Sequence, residues 1–577
     1  MNRPILFYSV SLAIGCISSL LFVNNVYLGA VFAASFLLVI FFTINKKYFV
    51  LCGTFYIIGI VSFNIYFNSV DLGDEAIIRI VQKKEFYNIG EYKGRRVRLK
   101  GSICKVEEGS KVIAAGEFNS EKDYERGIIG TYTVKEYKYL KKDLVTDLYT
   151  FKRAAYKRFK AAMGEKNAAL VASLCYGDTT ELSEKQKDEF NKLGVIHAVS
   201  VSGFHMAIIY KLLEYALGLE IALAICFIYA LFTGLQSSTL RAFIMILVLK
   251  LSKKVHKNYD KLSSLGFAAI ILMVVKPYYI ADLGFLLSFL STLGIVLYYD
   301  KIKKWVYRLP IKIGEAISVT LSAQLFSMPL VAMTLNNFST GFILGNLVLL
   351  PLYSVVVVLG NAAMLVLWCA PLFNSFCLLI KIVLISLEGA DYLLMKVCPP
   401  IVYFNFWEGV VAALIVLSCI LVKAGYKKVK YLPVFLFLTV IVQGYSFIPE
   451  VKYTSIKGQE CVILKYRSEA VLFCIKKPQM DSYELKQKYR VQKVIENANA
   501  GCKVDLGNGS FAAAKGNYKD INIELFIDGR RHIFFRDTFS KNLDSLYKYD
   551  IIMVSGKKYR TARVYNIVLG KVYTISY

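Results

Sequence analysis

The stretch ILFYSVSLAIGCISSLLFV, residues 5–23, decides the fold class. It is followed at once by VYLGAVFAASFLLVIFF from Val26 and by FVLCGTFYIIGIVSFNIYF from Phe49. Each approaches the ~20 apolar residues that cross ~30 Å of hydrocarbon as a helix. We do not expect residues 5–23 to be a cleaved leader, because they lack a small-residue cleavage motif and two more apolar segments follow. The stretch therefore predicts an integral, polytopic α-helical membrane protein.

The composition of the whole chain agrees with this fold class. Of 577 residues 56% are hydrophobic, and the mean hydropathy is +0.48. About 11–13 spans are predicted, and we expect Pro351 and Gly360 to interrupt the long one that contains them. The candidate spans are about 5–23, 26–43, 49–68, 203–217, 219–234, 237–251, 262–276, 279–298, 313–334, 341–369, 372–396, 407–423 and 431–447.

The net charge of +28, from 70 Lys and Arg against 42 Asp and Glu, has two interpretations. Short cytoplasmic loops of membrane proteins are loaded with Lys and Arg, and a basic excess is also the electrostatic footprint of a polyanion-binding protein. The basic runs at 46–47, 250–261, 301–312 and 423–431 can all be placed in the cytoplasm. Both hydrophilic regions, 71–200 and 449–577, then face outward.

The pattern along the chain predicts five regions. Short β-prone runs separated by Gly and charged turns indicate a small β domain before the main hydrophobic block, and a small Greek-key barrel such as an OB-fold fits them. That architecture often holds single nucleic-acid strands, so Arg95, Arg96, Arg98 and Lys100 are candidate DNA contacts. The regions are N-terminal helices in 1–70, an extracytoplasmic OB-like domain in 71–145, a basic amphipathic lead-in in 146–200, a membrane block in 201–447 and an extracytoplasmic α/β tail in 448–577.

The 12 cysteines form no C-x-x-C pair and so give no metal or redox motif. In the tail, CVILKYRSEAVLFC would bring Cys461 opposite Cys474 if Arg467 and Ser468 turned a tight hairpin. Arg-Ser is a poor turn pair. Whether these two cysteines form a disulfide therefore stays open.

Polar and special residues interrupt the hydrophobic block at several points. The segment GVIHAVSVSGFH holds two of the four histidines of the chain, and a break of the helix at Ser202–Gly203 fits it. In the predicted orientation the polar residues lie toward the outer half of the membrane, where such groups usually face water or a bundle interior. The candidate pathway residues are His197, Ser200, Ser202, Gly203, His205, Arg241, Asp282, Ser288, Gln324 and Asn346.

These residues allow two readings, helix packing or the lining of an aqueous passage. Ser and Gly permit close helix contact, and Arg241 with Asp282 could form a plain interhelical ion pair. A metal site is not expected, because His197 and His205 would lie about 12 Å apart along one helix. A nucleophilic serine is not supported either, since neither Ser200 nor Ser202 lies in a G-x-S-x-G motif.

The segment LCYGDTTELSEKQKDEFNKLGVIHAVSVSGFHMAII closely resembles the signature of the ComEC family of bacterial DNA-uptake channels. Further family segments follow in order, so the likeness is strong over about 165–360 and weaker on either side. The matching positions include Gly177, Asp178, Gly194, His197, Ser202, Gly203, His205, Arg241, Asp282, Gly284, Phe285, Ser288, Gln324, Pro329, Asn346 and Pro351. Of these, Gly177, Asp178, Gly284, Phe285, Pro329 and Pro351 are expected to be structural.

The resemblance implies a channel in the bacterial cytoplasmic membrane that passes one DNA strand inward during natural transformation. It implies single-stranded DNA and the lipid bilayer as partners, with a periplasmic or surface DNA receptor and a cytoplasmic helicase-type motor. No P-loop motif occurs in the sequence, so an ATP-driven pull must come from a separate protein. No cofactor and no catalytic residue are expected, and the chain is not read as an enzyme.

The tail departs from the family. Members often end in a metallo-β-lactamase-like domain, and SIKGQECVILKYRSEAVLF is similar to its opening hairpin, but Cys461 stands where Asp is usual. The H-x-H-x-D-H metal motif is missing, and the tail contains a single histidine, His532. A dinuclear site needs several His and Asp ligands. We therefore expect a degenerate, metal-free tail.

Two other function classes remain open. One is an intramembrane hydrolase with a Ser/His site around Ser202, and the other is an envelope scaffold that transports nothing. The sequence does not give the oligomeric state, the strand polarity or the energy source.

Overall fold

The structure is a computed structural model, and its helices and strands divide the chain into two compact units. The first unit comprises residues 1–328 and 339–400, and the second comprises 329–338 and 401–577. The residues that the structure describes are 3–84, 87–399, 401–423, 425–443, 445–456, 459–467, 469–476, 482–496, 502–507, 510–516, 521–527, 529–535, 550–553, 563–568 and 571–576.

The first unit opens with three long apolar helices, α1 (Pro4–Asn24), α2 (Val26–Thr43) and α3 (Lys46–Asn68). Helices α1 and α3 touch through glycine. A Cβ added to Gly15 would lie 2.2 Å from the Tyr56 carbonyl oxygen, and one added to Gly59 would lie 2.3 Å from that of Leu12. Small residues thus let the two backbones meet, as is typical of helix pairs in membranes.

A closed five-stranded β-barrel follows, with the strand order β1-β2-β3-β5-β4. Its interior is filled by alternating side chains such as Ile78, Ile80, Leu99 and Tyr132, all fully buried. Lys93 (φ 46°) and Gly94 (φ 78°) both have positive φ in the β2–β3 turn, which is the geometry of a tight two-residue hairpin. The strands are β1 (Glu75–Lys83), β2 (Asn88–Tyr92), β3 (Arg95–Gly101), β4 (Lys111–Asn119) and β5 (Ile128–Tyr139).

The rest of the first unit is helical. The segment 196–217 is broken as expected: a short helix ends at Val199 and the next begins at Gly203. The helices are α4 (Leu144–Met163), α5 (Glu165–Tyr176), α6 (Glu184–Lys192), α7 (Ile196–Val199), α8 (Gly203–Leu217), α9 (Leu219–Phe232), α10 (Ser237–Lys254), α11 (Lys261–Val275), α12 (Leu283–Trp305), α13 (Ile311–Thr334, whose last residues belong to the second unit), α14 (Phe342–Leu365) and α15 (Ala370–Val397).

The second unit contains α16 (Phe406–Lys423), α17 (Leu432–Gln443) and the tail. Two sheets of the tail share one apolar core, in the orders β11-β10-β9-β8-β17-β18 and β12-β13-β14-β15-β16, and α18 (Ser482–Tyr489) connects the parallel strands β10 and β11. Two short strands, β6 (Asn337–Phe338) and β7 (Val402–Tyr403), pair separately. The tail strands are β8 (Ser446–Ile456), β9 (Gln459–Arg467), β10 (Glu469–Cys474), β11 (Lys493–Ile495), β12 (Cys502–Gly507), β13 (Ser510–Gly516), β14 (Ile521–Ile527), β15 (Arg530–Phe535), β16 (Asp550–Met553), β17 (Arg563–Val568) and β18 (Lys571–Ser576).

The described helices support a multi-pass membrane protein. Eight of them, α1–α3 and α12–α16, are long and apolar enough to cross a membrane. Each of the thirteen predicted segments contains a helix, but five of these helices, α8–α11 and α17, are not among the eight. The expected interruption of residues 341–369 is wrong, because α14 continues through Pro351 and Gly360. There the missing side chain of Gly360 accommodates the Cys175 sulfur, which would lie 2.4 Å from an added Cβ.

Candidate functional site

The polar residues of the membrane block lie near the first turns of four helices, α8, α10, α12 and α14. The starts of α8, α10 and α12 meet: the Ser238 hydroxyl of α10 donates to the Val201 carbonyl just before α8 at 3.3 Å, and the Arg241 Nε of α10 donates to Ser288 of α12 at 2.9 Å. Helix α10 packs on both α8 and α12, and α14 packs on α8. The residues concerned are Ser202, Gly203 and His205 on α8, Arg241 on α10, Asp282 and Ser288 on α12, and Asn346 on α14.

Arg241 joins three of these helices. Its Nε donates to the Ser288 hydroxyl at 2.9 Å, and its Nη1 donates to the Thr292 hydroxyl. A Cβ on Gly203 would lie only 2.6 Å from its Nη2, so glycine is what allows the guanidinium to reach the start of α8. The Phe289 ring lies 6.0 Å from the guanidinium carbon. Within the described residues the hydrogen-bond partners of Arg241 include no carboxylate, so its positive charge is not paired.

The ion pair considered for Arg241 and Asp282 is not formed in the structure. Asp282 instead caps α12, since its Oδ1 accepts the backbone N–H of Phe285 at 2.7 Å. Asp, Ser and Asn are favoured at this position because their oxygens accept one of the four unpaired N–H groups of the first turn. The carboxylate is thereby committed to its own helix.

His205 is 1% exposed and ties the first turn of α8 together. Its Nδ1 lies 3.1 Å from the backbone nitrogen of Ser202 and 3.0 Å from the Ser202 hydroxyl. Because the backbone N–H can only donate, Nδ1 is the acceptor, and Nε2 of the neutral ring carries the hydrogen. That buried Nε2 has no hydrogen-bond partner among the described residues. The site therefore contains a buried N–H donor that has no acceptor among the described residues.

The start of α14 is fixed against the turn that precedes α7. A Cβ on Gly345 would lie 2.3 Å from the Leu193 carbonyl oxygen, and one on Gly194, which has a φ of 70°, would lie 2.7 Å from Phe342. Asn346 follows directly, is 8% exposed, and has no partner for its Oδ1 among the described residues. The backbone contact thus holds a second unsatisfied polar group beside α8.

Four further polar groups, three in this block and Tyr176 in the lead-in, were not predicted from the sequence. Tyr176, Tyr210 and Tyr353 are buried in the same core, and neither their hydroxyls nor the buried Oδ1 of Asp391 has a hydrogen-bond partner among the described residues. A tyrosine within an apolar helix is usually interpreted as a packing residue, so the sequence offers no reason to select these three tyrosines. Helical register was the available signal, since Tyr353 lies seven residues, or two turns, after Asn346. Buried polar atoms of native proteins nearly always have a partner, so such a group calls for water or a ligand.

The other predicted pathway residues lie outside this contact set. His197 is exposed on α7, and Ser200 is half-buried directly after that helix. Gln324 of α13 accepts the Ser327 hydroxyl at 3.1 Å.

The residues expected to be structural have local roles. Gly177 has a φ of 77° at the end of α5, and Asp178 accepts the Thr180 backbone N–H at 3.1 Å. Phe285 is buried and stacks on Tyr279. Pro351 lies inside α14 without ending it; Gly284 follows the Asp282 cap, and Pro329 lies inside α13.

The predicted DNA contacts of the barrel are largely occupied by protein. Arg95 donates to the carbonyl oxygens of Tyr66 at 2.7 Å and Ile65 at 2.9 Å, and so caps the end of α3. Arg96 donates to a backbone carbonyl at 3.3 Å and lies over the Tyr278 ring, while Arg98 pairs with Asp123 at 3.3 Å. Lys100 is exposed. Of the four, Lys100 is the side chain directed to solvent.

The lead-in helix α4 contacts both the barrel and the helices that follow it, through Arg153 and the half-buried Lys152. The Lys152 Nζ lies 4.8 Å from the ring centre of Tyr149, 5.2 Å from that of Phe232 and 5.9 Å from that of Tyr176. Burial lowers the pKa of Lys152 to about 8, against the opposing attraction of nearby carboxylates. Arg153 of the same helix donates to the barrel-loop carbonyl of Glu108 at 2.7 Å. No group of three or more metal-ligating side chains occurs among the described residues.

Comparison with known proteins addresses the membrane block. Residues 174–426 match the family described as Competence protein. ComE operon protein 3 of Bacillus subtilis is 26% identical over 209 residues, which cover 34% of this chain and 26% of that protein. An uncharacterised protein of Mycoplasma genitalium is 27% identical over 137 residues, covering 23% of this chain and 36% of that protein.

The matches are partial along the relatives. The chain spans about a quarter to a third of the length of the curated relatives it matches. No solved structure matches the chain. The matched region nevertheless contains the site from Gly177 to Pro351, with the segments in their expected order. By this match and the Bacillus relative, the region 174–426 of the chain is similar to ComEC-type competence proteins.

Proposed function

We propose that the chain forms a channel that passes single-stranded DNA across the bacterial cytoplasmic membrane during natural transformation. The observation that carries the proposal is the pair of donors at the helix starts: the half-buried guanidinium of Arg241, which has no carboxylate partner among the described residues, and the buried Nε2–H of His205, which has no described partner. A phosphodiester offers anionic oxygens that both groups bind well. The match of residues 174–426 to the Competence protein family supports the same substrate.

The energetics favour a functional reason for Arg241. An uncompensated buried charge costs several kcal/mol, and two hydroxyl partners offset only part of that cost. Charged residues inside membrane proteins usually mark a pathway for ions or substrates. We infer that the cluster of α8, α10, α12 and α14 is a constriction that contacts phosphates, and that its low solvent exposure corresponds to a closed passage.

We propose that the barrel is an OB-like module and that it lies outside the membrane together with the tail. The strand order β1-β2-β3-β5-β4 and the interior packing support an OB-like barrel. Lys100 and neighbouring exposed side chains would then guide the incoming strand, since Arg95, Arg96 and Arg98 already hold protein groups. The tail is proposed to be a metal-free relative of a metallo-β-lactamase domain. A receptor and a separate motor would complete the path.

One observation favours an alternative, an intramembrane hydrolase. The Ser202 hydroxyl lies 3.0 Å from the His205 Nδ1, which is the distance expected for a nucleophile and its base. However, the same Nδ1 also accepts the Ser202 backbone N–H, and within the described part of the chain Nε2 has no carboxylate partner that would orient the ring. The pair therefore works better as a helix cap. A Ser202→Ala variant with full function would exclude the hydrolase.

The test is the uptake of labelled DNA into the cytoplasm of cells that carry the wild type, His205→Ala or Arg241→Ala. Ser354→Ala is the matched control, because its half-buried hydroxyl donates to the Leu350 carbonyl of its own helix at 2.7 Å. We expect both site variants to insert normally and to leave DNA outside the membrane. Uptake at the level of the control in both variants would contradict the channel, and the cluster would then be packing, as a scaffold requires.

A further inference from the structure

Two cysteines of the tail face each other across the β9–β10 hairpin. Cys461 and Cys474 are direct partners in the antiparallel register, and their sulfur atoms lie 3.2 Å apart. Arg467, in the turn, has a φ of 54°, the left-handed geometry that tight hairpin turns require. Ser468, the other predicted turn residue, lies outside the described residues. The hairpin considered from the sequence is thus formed.

The position of this pair in the ladder suits a covalent bond. In an antiparallel pair, hydrogen-bonded and non-hydrogen-bonded positions alternate, and side chains are closer at the latter. Tyr466 and Glu469 flank a two-residue turn and form the hydrogen-bonded closing pair, so Cys461 and Cys474, five steps along, fall at a non-hydrogen-bonded position. Disulfides need Cβ atoms ~3.8 Å apart, which that position approaches.

The surroundings hold the two sulfurs together. Both cysteines are fully buried, within a small core formed by Ile456, Ile463, Leu472, Leu485 and Val491. The Cys461 thiol donates to the Cys474 sulfur, and this hydrogen bond lowers the pKa of Cys474. Other described cysteines, such as Cys16 and Cys52, are buried in membrane helices. The thiols of Cys461 and Cys474 are therefore placed to react with each other.

We propose that Cys461 and Cys474 form a disulfide that staples the β9–β10 hairpin of the tail. The inference rests on the outward placement of the tail under the proposed function, because disulfides persist in oxidising compartments. The oxidant is the disulfide of an extracytoplasmic thiol–disulfide oxidoreductase. The Cys474 thiolate attacks one sulfur of that disulfide and releases the first thiol. The Cys461 thiolate then attacks the Cys474 sulfur of the mixed disulfide and releases the second.

The step balances in protons and electrons. Two S–H bonds of the tail are lost and one S–S bond forms, while the oxidant gains two electrons and two protons and leaves as a dithiol. Because the pair is buried once the core forms, the exchange occurs while the hairpin is exposed during folding.

The experiment counts reactive thiols in the full-length protein taken from acid-quenched cells. The protein is denatured and labelled with a mass-tagged maleimide, with or without prior reduction. We expect the wild type to gain two labels on reduction, one each at Cys461 and Cys474. The single variant Cys461→Ser and the double variant Cys461→Ser/Cys474→Ser should gain no label at these positions. A wild type that gains no label relative to these variants overturns the disulfide.

A second measurement separates this result from a failure of the proposed topology. Arg530 is exposed in the tail, so Arg530→Cys in intact cells reports its side when a membrane-impermeant maleimide is added. Labelling from outside together with no gain on reduction rejects the disulfide and leaves the channel topology standing. Absence of labelling from outside rejects the outward placement, and the disulfide inference falls with it.

Discussion

Replacing Arg241 with methionine should separate function from stability. The change removes two hydrogen bonds from a charged donor, each worth about 1.5–3 kcal/mol. It also removes a half-buried charge that has no carboxylate partner among the described residues, which returns up to several kcal/mol. We expect the two to nearly cancel, so that the free energy of unfolding changes by less than about 2 kcal/mol.

The effect on transport should be large. At an effective dielectric of about 20, a guanidinium 4 Å from a phosphate gains about 4 kcal/mol. Water in an open passage reduces this, and about half, or 2 kcal/mol, is a fair expectation. Since about 1.4 kcal/mol is a factor of ten, DNA uptake should fall about 30-fold. Arg241→Lys keeps the positive charge but loses the planar guanidinium group, so DNA uptake should fall less in this variant.

The assay pairs uptake of labelled DNA with thermal unfolding of the purified, detergent-solubilised protein. Arg158→Met is the matched control, because Arg158 donates to the Leu367 carbonyl and lies away from the helix starts. The control should lose stability, with uptake following only the amount of folded protein. The reasoning is refuted if Arg241→Met loses more than about 3 kcal/mol, the cost of breaking a structural pair, or if its uptake stays near wild type.

Three other changes have defined outcomes. The hydrogen-bonded Arg79 side chain holds the pKa of Asp143 well below its usual range. This carboxylate therefore stabilises the fold above pH ~4, and that stability is lost as the pH falls further. Asp143→Asn should flatten the acid side of a Tm–pH profile, and an acid side as steep as that of the wild type would contradict this. Gly345→Ala places a methyl 2.3 Å from the Leu193 carbonyl oxygen and should cost at least about 2 kcal/mol of unfolding free energy, which a wild-type Tm would disprove. Lys100→Glu should weaken binding of a fluorescent single-stranded oligonucleotide several-fold with Tm unchanged, and equal affinity at low salt would remove Lys100 from the DNA path.

The helical fold was predictable because it depends on long runs of apolar residues and not on single positions. Each of the thirteen predicted apolar segments contains a helix, and eight of these helices are long and apolar enough to cross a membrane, where a helix satisfies all of its own backbone groups. The break before Gly203 was also visible, as small and polar residues cluster there. The predicted interruption at Pro351 and Gly360 was wrong, because tertiary contacts such as the one between Gly360 and Cys175 hold α14 together where local propensity alone predicts a break.

The partners within the site were harder to foresee. Asp282 could have paired with Arg241 or capped α12, and both choices satisfy the same carboxylate; only the backbone geometry decides between them. Arg95, likewise, was equally suited to DNA and to the carbonyls at the end of α3. The unsatisfied hydroxyl of Tyr353 is a property of its surroundings and has no signature in the sequence.

The positions of the helix starts at this site have an electrical consequence. Each start carries about half an elementary positive charge from its aligned peptide dipoles, so those of α8, α10 and α14 together approach about +1.5, while the Asp282 carboxylate offsets the start of α12. Backbone dipoles have no pKa and cannot be removed by changing a side chain. The constriction should therefore keep a permanent preference for anions at any pH at which the helices are folded, and Arg241 adds to that field without being its only source.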